Sequence, residues 1–308
     1  MVSNCRTIGY PYVDFISDLK EMNIKVGILH FDSDKKLRLH GEALFREHND
    51  WNVVKEILME KYVKGCFTYD SPLWGDSLGY WAIDSPLYFN PDFIISCSEW
   101  SKEFIDPFDT TPIIVMHPFI HDEKKNKEKL ERVNITMINP MYHKGRSYMA
   151  DLINDYSNKW TYRVLLGGYG GEKKDFLSMI ADSWAIRDGR VDIRPYVERM
   201  EDVWDATDIF VFPSRFEGYG MAAVEPMVHG VPVFVQDYPS IIEAVGDGAT
   251  IMPYGCNSTE WVETIEEIFF DDEEYEEYKE KGYKRIQHLK DREHEEMAAL
   301  ITFMEKLV

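Results

Sequence analysis

Short runs of Val, Ile, Leu and Phe recur along the chain and end in polar or glycine-containing loops. Near-continuous apolar runs of this length are typical of strands in parallel sheets that are covered on both faces. Helix-length segments separate the runs, so the pattern predicts the doubly wound α/β class. The predicted strands are Ile24 to Phe31, Phe93 to Cys97, Ile113 to Met116, Ile135 to Ile138, Tyr162 to Leu166, Ile209 to Phe212 and Val231 to Val235.

The segment HDEKKNKEKLERVN, His121 to Asn134, is dominated by charged residues and nearly lacks large apolar ones. The chain has 308 residues, which fits two domains of roughly 150 residues each, so we place the domain boundary in this segment. The sequence thus predicts Rossmann-like domains over 1–122 and 135–285, and a C-terminal helix over 286–308 that packs back on the first domain. The alternative is a solvated helix within one continuous domain.

Two segments near the C terminus predict helices. The run DDEEYEEYKEKGYKR, Asp271 to Arg285, has acidic residues near its start and basic ones near its end, which suits the helix dipole. The last segment is predicted to be an amphipathic helix, because its apolar residues recur at helical spacing. These residues are Met297, Leu300, Ile301 and Met304.

Charge and cysteine usage narrow the classes of partner. The net charge of -21 argues against a nucleic-acid-binding protein and against a polybasic membrane anchor, because such a surface repels phosphate groups. The scattered cysteines Cys5, Cys66, Cys97 and Cys256 form no CxxC pair and are expected to be reduced. No apolar stretch approaches the roughly 20 residues of a membrane span, so we expect a cytoplasmic protein without a transmembrane segment.

The stretch PSRFEGYGMAAVEPMVHGVPVF, Pro213 to Phe234, carries the strongest chemical signal. It is predicted to be the loop at the carboxyl end of a buried strand, then a helix that ends at Gly230 in a left-handed cap, then a strand. Ligands bind at such loops in open α/β sheets. Gly218 and Gly220 allow the backbone to approach a ligand, and the N-terminus of the following helix favours an anion such as phosphate.

Glu217 and Glu225 add hydrogen-bond acceptors to this loop and helix. Ionised carboxylates only accept hydrogen bonds, and sugars offer several hydroxyl donors. A nucleotide sugar has two sugars joined by a diphosphate, which matches two carboxylates around an anion site. The alternative is a structural one, in which the glutamates are ordinary acids favoured by the helix dipole and the glycines serve a turn.

This stretch resembles the signature of retaining GT-B glycosyltransferases of family four, also described as glycosyl transferases group 1. The resemblance rests on the apolar strand, PS, EGYG, the second glutamate and GVPV, and it implies two Rossmann-like doubly wound domains facing a cleft. The stretch MVSNCRTIGYPY leaves a very short first strand compared with the family, so we expect a reduced N-terminal domain. It further implies that Glu225 binds the ribose of the donor nucleotide and that Glu217 contacts the transferred sugar. The donor would be cradled by the backbone of four residues, Gly218, Tyr219, Gly220 and Met221.

Upstream, NITMINPMYHKGRSYMADLI resembles the strand and Lys-Gly loop that open the second domain of the family. The family's diphosphate-binding Lys matches Lys144. Its Arg, about five residues earlier, is replaced by Asn139, which carries no positive charge. Arg146 and Arg215 are the candidates to replace it. The alternative for Lys144 is a solvated surface lysine.

The resemblance also suggests contacts to the base and to the sugar. Tyr196 and Val197 correspond to the loop nearest the donor base. In the first domain, Gly9 is the only glycine of the N-terminal loop and is counted among the donor-binding candidates. Asp70 stands where many relatives have a sugar-contacting His, and is a catalytic candidate, with a turn-forming Asp before Ser-Pro as the alternative.

A rival interpretation comes from Asp32-Ser33-Asp34, which follows a predicted strand. Two carboxylates at this spacing suit a divalent cation that holds a diphosphate, as hard cations prefer oxygen ligands. The alternative is a solvated turn, because three-residue acidic motifs are common in a chain with 55 acidic residues.

Taken together, the resemblance implies transfer of a sugar, with retention of configuration, from a nucleotide diphosphate sugar to a hydroxyl of a glycan, lipid or protein-linked acceptor, without a cofactor or metal. The alternatives are a GT-B sugar-nucleotide epimerase or phosphorylase, and a degenerate sugar-nucleotide-binding protein without catalysis.

Overall fold

The computed structural model describes residues 2–4, 27–30, 92–103, 112–120, 125, 128–130, 133–155, 160–167, 170–195 and 197–307. The chain divides into two compact units. The first contains Met1–Phe119, Glu217–Tyr219 and Asp291–Val308, and the second contains Ile120–Phe216 and Gly220–Lys290. Each unit is built on a parallel sheet.

The sheet of the first unit has neighbouring strands in the order β1-β2-β3-β4, and all of its pairings are parallel. Its strands are β1 (Val2–Asn4), β2 (Gly27–His30), β3 (Phe93–Ser96) and β4 (Ile113–Val115). The short helix α1 (Glu99–Glu103) follows β3. Every residue of β3 is buried, which explains its wholly apolar start, Phe93-Ile94-Ile95.

The sheet of the second unit has the order β7-β6-β5-β8-β9-β10, and its strands are also parallel. Numbered within the unit, this is the 3-2-1-4-5-6 order of dinucleotide-binding sheets, with the order reversing between β5 and β8. The strands are β5 (Asn134–Ile138), β6 (Thr161–Leu165), β7 (Val191–Arg194), β8 (Ile209–Phe212), β9 (Val233–Gln236) and β10 (Thr250–Met252).

Helices follow the strands of the second unit, as a parallel sheet requires. They are α2 (Arg146–Asn154), α3 (Gly170–Ile180), α4 (Trp184–Arg187), α5 (Glu201–Trp204), α6 (Met221–Val228), α7 (Pro239–Val245) and α8 (Ser258–Phe270). The C-terminal helix α9 (Asp272–Leu307) has 36 residues. Its residues up to Lys290 belong to the second unit and those from Asp291 to the first.

Buried apolar strands and one buried carboxylate fix the middle of the second sheet. All residues of β8 and β9 are buried. Immediately before β8, the carboxylate of Asp208 accepts hydrogen bonds from the backbone N–H groups of Leu130 (2.9 Å) and Asn134 (3.0 Å). Because each oxygen binds one amide, Asp208 ties the start of β8 to the start of β5.

The α/β class with parallel sheets is confirmed, and each predicted strand is present within a few residues of its expected bounds. The first strand, β1, is very short, with three residues. Two strands, β7 and β10, were not predicted. β10 has only three residues, and β7 (VDIR) is half polar, which suits an edge strand that is covered less well. The two C-terminal segments predicted as helices are parts of the single helix α9.

Candidate donor site

The loops that follow β5 and β8 lie side by side in the second unit. β5 and β8 are neighbouring parallel strands, so their carboxyl ends meet at the same edge of the sheet, where the strand order reverses. Residues 139–145 form the first loop and residues 213–220 continue from β8. The sequence motifs built on Lys144 and on Pro213 are therefore brought together.

Asn139 turns the chain out of β5. Its φ is 54°, in the left-handed region, which Asn tolerates better than most residues because of its short polar side chain. Its N–H donates to the carbonyl of Leu165 (2.9 Å) and its own carbonyl accepts from Met141 N–H (2.6 Å). Asn139, at the position where the family has Arg, therefore forms a tight turn whose backbone groups are hydrogen-bonded.

Gly145 ends one turn and begins the next helix. The 3₁₀ turn Tyr142–Lys144 closes on Gly145, whose φ of 77° and ψ of 35° are left-handed, and α2 starts at the following residue. A Cβ at this position would collide with the backbone carbonyl oxygen of Pro213. The residue after Lys144 is therefore glycine for two reasons, its φ and its close approach to the second loop.

Hydrogen bonds join the two loops directly. The carbonyl of His143 accepts from the backbone N–H of Arg215 (2.9 Å) and from the hydroxyl of Ser214 (3.5 Å). The Ser214 hydroxyl also lies 3.2 Å from the carbonyl of Phe216. The PS dipeptide of the motif thus positions the residues that precede Glu217.

The three cations of the two loops have different surroundings. Arg146 is committed to a neighbour, because its Nη1 lies 3.2 Å from Oδ2 of Asp175 in α3. The Lys144 ammonium lies 5.8 Å from the centroid of the Phe212 ring. The Arg215 guanidinium lies 5.7 Å from the Tyr142 ring and 5.9 Å from the Tyr148 ring. Among the residues that the structure describes, Arg215 has no carboxylate within ion-pair distance.

The helix α6 carries the second glutamate of the motif. Gly220, with φ 107°, is its N-cap and makes no side-chain capping bond, and Met221 is its first residue. Glu225 lies one turn further and is half-buried. The left-handed cap predicted at Gly230 is confirmed by its φ of 69°, and the N–H groups of Gly230 and Val231 close a Schellman motif on Met227 and Pro226.

Glu217, Gly218 and Tyr219 group with the first unit rather than the second. There, the hydroxyls of Ser98 and Ser101 both donate to the carbonyl of Gly218, at 2.6 and 3.0 Å. Tyr219 is buried, with 4% of its surface exposed. Neither Ser98 nor Ser101 was singled out from the sequence, because a partner about 120 residues away leaves no local signal.

Val197 lines a pocket of about 390 Å³ at the β7 edge of the second unit. The pocket is also lined by Arg163 and Arg194, which both bind the carboxylate of Asp192, at 3.1 and 2.9 Å. Burial alone would raise the pKa of Asp192, but the two guanidinium groups hold it below its usual value. This wall of the pocket therefore carries fixed charges of both signs.

Several sequence-based predictions fall outside the described residues. These concern Gly9, Asp70, Tyr196 and the Asp32 and Asp34 pair. Of the other candidates, Asn139, Lys144, Arg146 and Arg215 lie on the two joined loops or at the start of α2.

Comparison with known proteins agrees with this geometry. The structure is similar to the crystal structure of TarM, with a TM-score of 0.65 over 100% of this chain and 54% of TarM, at 14% identity. At that identity the likeness concerns the fold alone, which is GT-B, as the sequence predicted. The sequence profile of Glycosyl transferases group 1 matches residues 120–285, more than half of the chain. The chain belongs to this family.

Curated relatives match shorter stretches. The O-antigen chain mannosyltransferase B of Escherichia coli is 34% identical over 92 residues, which cover 29% of this chain and 24% of the relative. The D-inositol 3-phosphate glycosyltransferase of Nocardia farcinica (strain IFM 10152) is 30% identical over 109 residues, which cover 33% of this chain and 24% of the relative. The chain therefore spans about a quarter of the length of these two relatives. Among the described residues, no helix is both long and apolar enough to cross a membrane.

Proposed function

We propose that the protein is a retaining glycosyltransferase that moves a sugar from a nucleotide diphosphate sugar to an acceptor hydroxyl, without a metal. The observation that supports this most is the joining of the Lys144 loop to the PSRFEGYG loop where the strand order reverses, through His143 and Arg215. Two relatives named as glycosyl- or mannosyltransferases add support. The acceptor class is a glycan, a lipid or a protein-linked hydroxyl.

In this proposal the second unit binds the nucleotide part of the donor. Glu225 accepts hydrogen bonds from the ribose hydroxyls, and Lys144 binds the diphosphate. The start of α6, which has no side-chain cap, offers backbone N–H groups and the positive end of a helix dipole to the same anion. Glu217 contacts the transferred sugar.

Arg215 supplies the second positive charge that Asn139 lacks. Its backbone is bonded to the Lys144 loop, and its guanidinium lies on two tyrosine rings rather than on a carboxylate of the described part of the chain. Arg146 is the weaker candidate, because Asp175 already neutralises it. We therefore assign Lys144 and Arg215 to the diphosphate.

The reaction breaks the bond between the anomeric carbon and the diphosphate oxygen and forms a bond from the same carbon to the acceptor oxygen on the same face. The acceptor proton passes to the leaving phosphate, so no protein nucleophile is needed. Negative charge develops on the diphosphate as it leaves, where Lys144, Arg215 and the α6 N-terminus stabilise it. A cytoplasmic location is proposed with it, in keeping with Cys97 and Cys256, which form no disulfide within the described part of the chain.

The test is the release of nucleoside diphosphate from a panel of UDP-, GDP- and ADP-sugars, in EDTA and separately in Mn²⁺. We expect slow release from one donor in EDTA that Glu217→Gln and Lys144→Met abolish. Strict Mn²⁺ dependence with indifference to both variants would refute the proposal and favour the Asp32 and Asp34 site. Binding of a donor without release, with or without candidate acceptors, is the result expected of a sugar-nucleotide-binding protein.

Arg215→Met and Arg146→Met form a matched pair for the diphosphate assignment. A charged hydrogen bond contributes about 1.5–3 kcal/mol, so Arg215→Met should weaken binding of the free nucleoside diphosphate by about ten- to a hundredfold in calorimetry. Arg146→Met should weaken it by less than about threefold. A larger effect of Arg146→Met would reverse the assignment.

A further inference from the structure

Several side chains of the first unit contact Gly218 and Tyr219 in the segment Glu217–Tyr219. The Gly218 carbonyl is fixed by the hydroxyls of Ser98 and Ser101, and the Ser98 hydroxyl also accepts from the N–H of Ser101 at the start of α1. These bonds orient one peptide of the segment and leave the position of the Tyr219 side chain to other contacts.

Arg292 of α9 binds the Tyr219 side chain. Its Nη2 donates to the Tyr219 hydroxyl oxygen at 2.6 Å, and its guanidinium carbon lies 5.9 Å from the centroid of the Tyr219 ring. The ring of His117 also lies close to Tyr219, with 5.0 Å between the two ring centroids. A guanidinium is planar and rigid, so a bond from one arm fixes direction as well as distance.

Glu296 holds both Arg292 and His117. Its Oε1 lies 3.2 Å from Nε of Arg292 and 2.5 Å from Nδ1 of His117, while its Oε2 accepts from the backbone N–H of His117 at 2.9 Å. Burial would raise the pKa of Glu296, but the bonds from His117 and the charge of Arg292 keep the pKa below its ordinary value. The carboxylate is therefore ionised at neutral pH and available to both partners.

Helix geometry keeps these groups in register. Arg292 and Glu296 are four residues apart, so they lie on the same face of α9, and Phe303 returns to that face after about two further turns. There the Phe303 ring packs edge-on against Phe93 of β3, with centroids 5.9 Å apart. The contact between Phe303 and Phe93 holds this part of α9 against β3. The pair of Arg292 and Glu296 is therefore held in place by the same helix.

We propose that Arg292 and Glu296 are positioning residues that fix the Glu217–Tyr219 segment and so present the Glu217 carboxylate to the transferred sugar. The role of Glu217 in this inference rests on the proposed function. The ordering of the segment rests only on the contacts described above. Neither Arg292 nor Glu296 lies in the family motif. Tyr219 does, and its hydroxyl is bound by Arg292.

The proposal separates two kinetic effects. Loss of Arg292 or Glu296 disorders the residues that meet the sugar, and leaves Lys144, Arg215 and Glu225 to bind the nucleotide. The turnover number kcat should therefore fall by about tenfold or more, while the affinity for free nucleoside diphosphate changes by less than about threefold.

The first test is hydrogen exchange, read by mass spectrometry on peptides that contain residues 217–220 of the full-length chain. We expect Arg292→Met and Tyr219→Phe to speed exchange in these peptides by at least about tenfold, since each removes a hydrogen bond to a charged group. Arg292→Lys should restore part of the protection. Glu296→Gln is matched by Glu295→Gln, which removes the same charge from an exposed neighbour on α9 and should change nothing.

Unchanged exchange at 217–220 in folded Arg292→Met and Tyr219→Phe would overturn the proposal. If Arg292→Met does not fold, Tyr219→Phe decides, because it removes only the acceptor and leaves the Arg292 and Glu296 pair intact. The exchange test does not need a donor, so the positioning can be confirmed even if the wild type releases no nucleotide and the proposed function fails. Altered exchange with unchanged kcat on an active donor would overturn the link to Glu217.

Discussion

The side-chain amide of Asn139 lies where a Cβ of residue 167 would stand, so Gly167 and Asn139 share one space at the carboxyl ends of β5 and β6. Glycine at 167 is what allows an amide side chain to fold over this edge of the sheet. The contact joins the loop that leads to Lys144 to the glycine-rich loop after β6.

We predict that Gly167→Ala destabilises the protein by about 1–2 kcal/mol, because the Asn139 amide must leave its position. Asn139→Ala in the same chain should recover part of the loss, since the collision is with the amide group. Urea denaturation of the two single variants and the double variant measures the coupling. Additive losses would contradict the shared space.

Gly145→Ala is expected to be more harmful than the same change at Gly189. Both glycines have positive φ, 77° and 68°, which costs a non-glycine residue about 1–2 kcal/mol. A Cβ at Gly189 meets nothing within 4 Å, whereas at Gly145 it meets the Pro213 carbonyl. The free energy of unfolding should therefore fall by at least about 1 kcal/mol more for Gly145→Ala. Equal losses would mean that the two loops separate without cost.

Asp208→Asn should cost about 2–4 kcal/mol, because an amide replaces one of two oxygens that accept backbone N–H bonds from Leu130 and Asn134. The NH₂ group of the new amide would then face one of these two backbone N–H donors in a buried position. Asp205→Asn, at an exposed position three residues earlier, is the matched control and should be near neutral. Thermal or urea unfolding measures both, and a mild Asp208→Asn would show that the chain before β5 is not fixed by this carboxylate.

Tyr283 predicts a loss of stability at alkaline pH. Its hydroxyl donates to the carbonyl of Lys125 at 2.5 Å, and burial, with the charges of Glu280 and Glu276, raises the pKa of Tyr283 to about 12. Because the unfolded phenol loses its proton near pH 10, the unfolded state binds fewer protons between about pH 10 and 12, and stability falls over that range.

The measurement for Tyr283 is the urea midpoint between pH 8 and pH 11.5. Tyr283→Phe should lose about 1 kcal/mol at pH 8, from the missing hydrogen bond, and show a shallower decline above pH 10. Tyr278→Phe, at a half-exposed position on the same helix, is the control. An unchanged slope in Tyr283→Phe would assign the alkaline loss to other groups.

The strands were predictable where both faces of the strand are buried. In β3, β8 and β9 every residue is buried, so the apolar runs show their bounds to within one or two residues. β7 is an edge strand with partly exposed residues, and its pattern of alternating polar positions is too short to separate from a loop.

The candidate site was predictable where the chemistry is local in sequence. The motif around Glu217 and Glu225 and the Lys144 loop could be found because glycines, carboxylates and a strand end occur within a few residues. The contacts of Arg292 and Glu296 could not, since a charged helix gives no sign of which face meets a tyrosine 73 positions earlier. The difference between Arg146 and Arg215 was not visible in the sequence either, because only the structure shows that Asp175 forms an ion pair with Arg146.

The pairing of β5 with β8 has a consequence for folding. Ile135 pairs with Ile209, and the chain between them contains β6 and β7, which lie on the other side of β5. Proteins that are rich in contacts of such long sequence separation fold slowly. A ligand that needs both loops has no site in a partly folded chain, so it stabilises only the native state and slows the loss of native molecules. Release of such a ligand during unfolding would therefore report the separation of β5 from β8 in the second sheet.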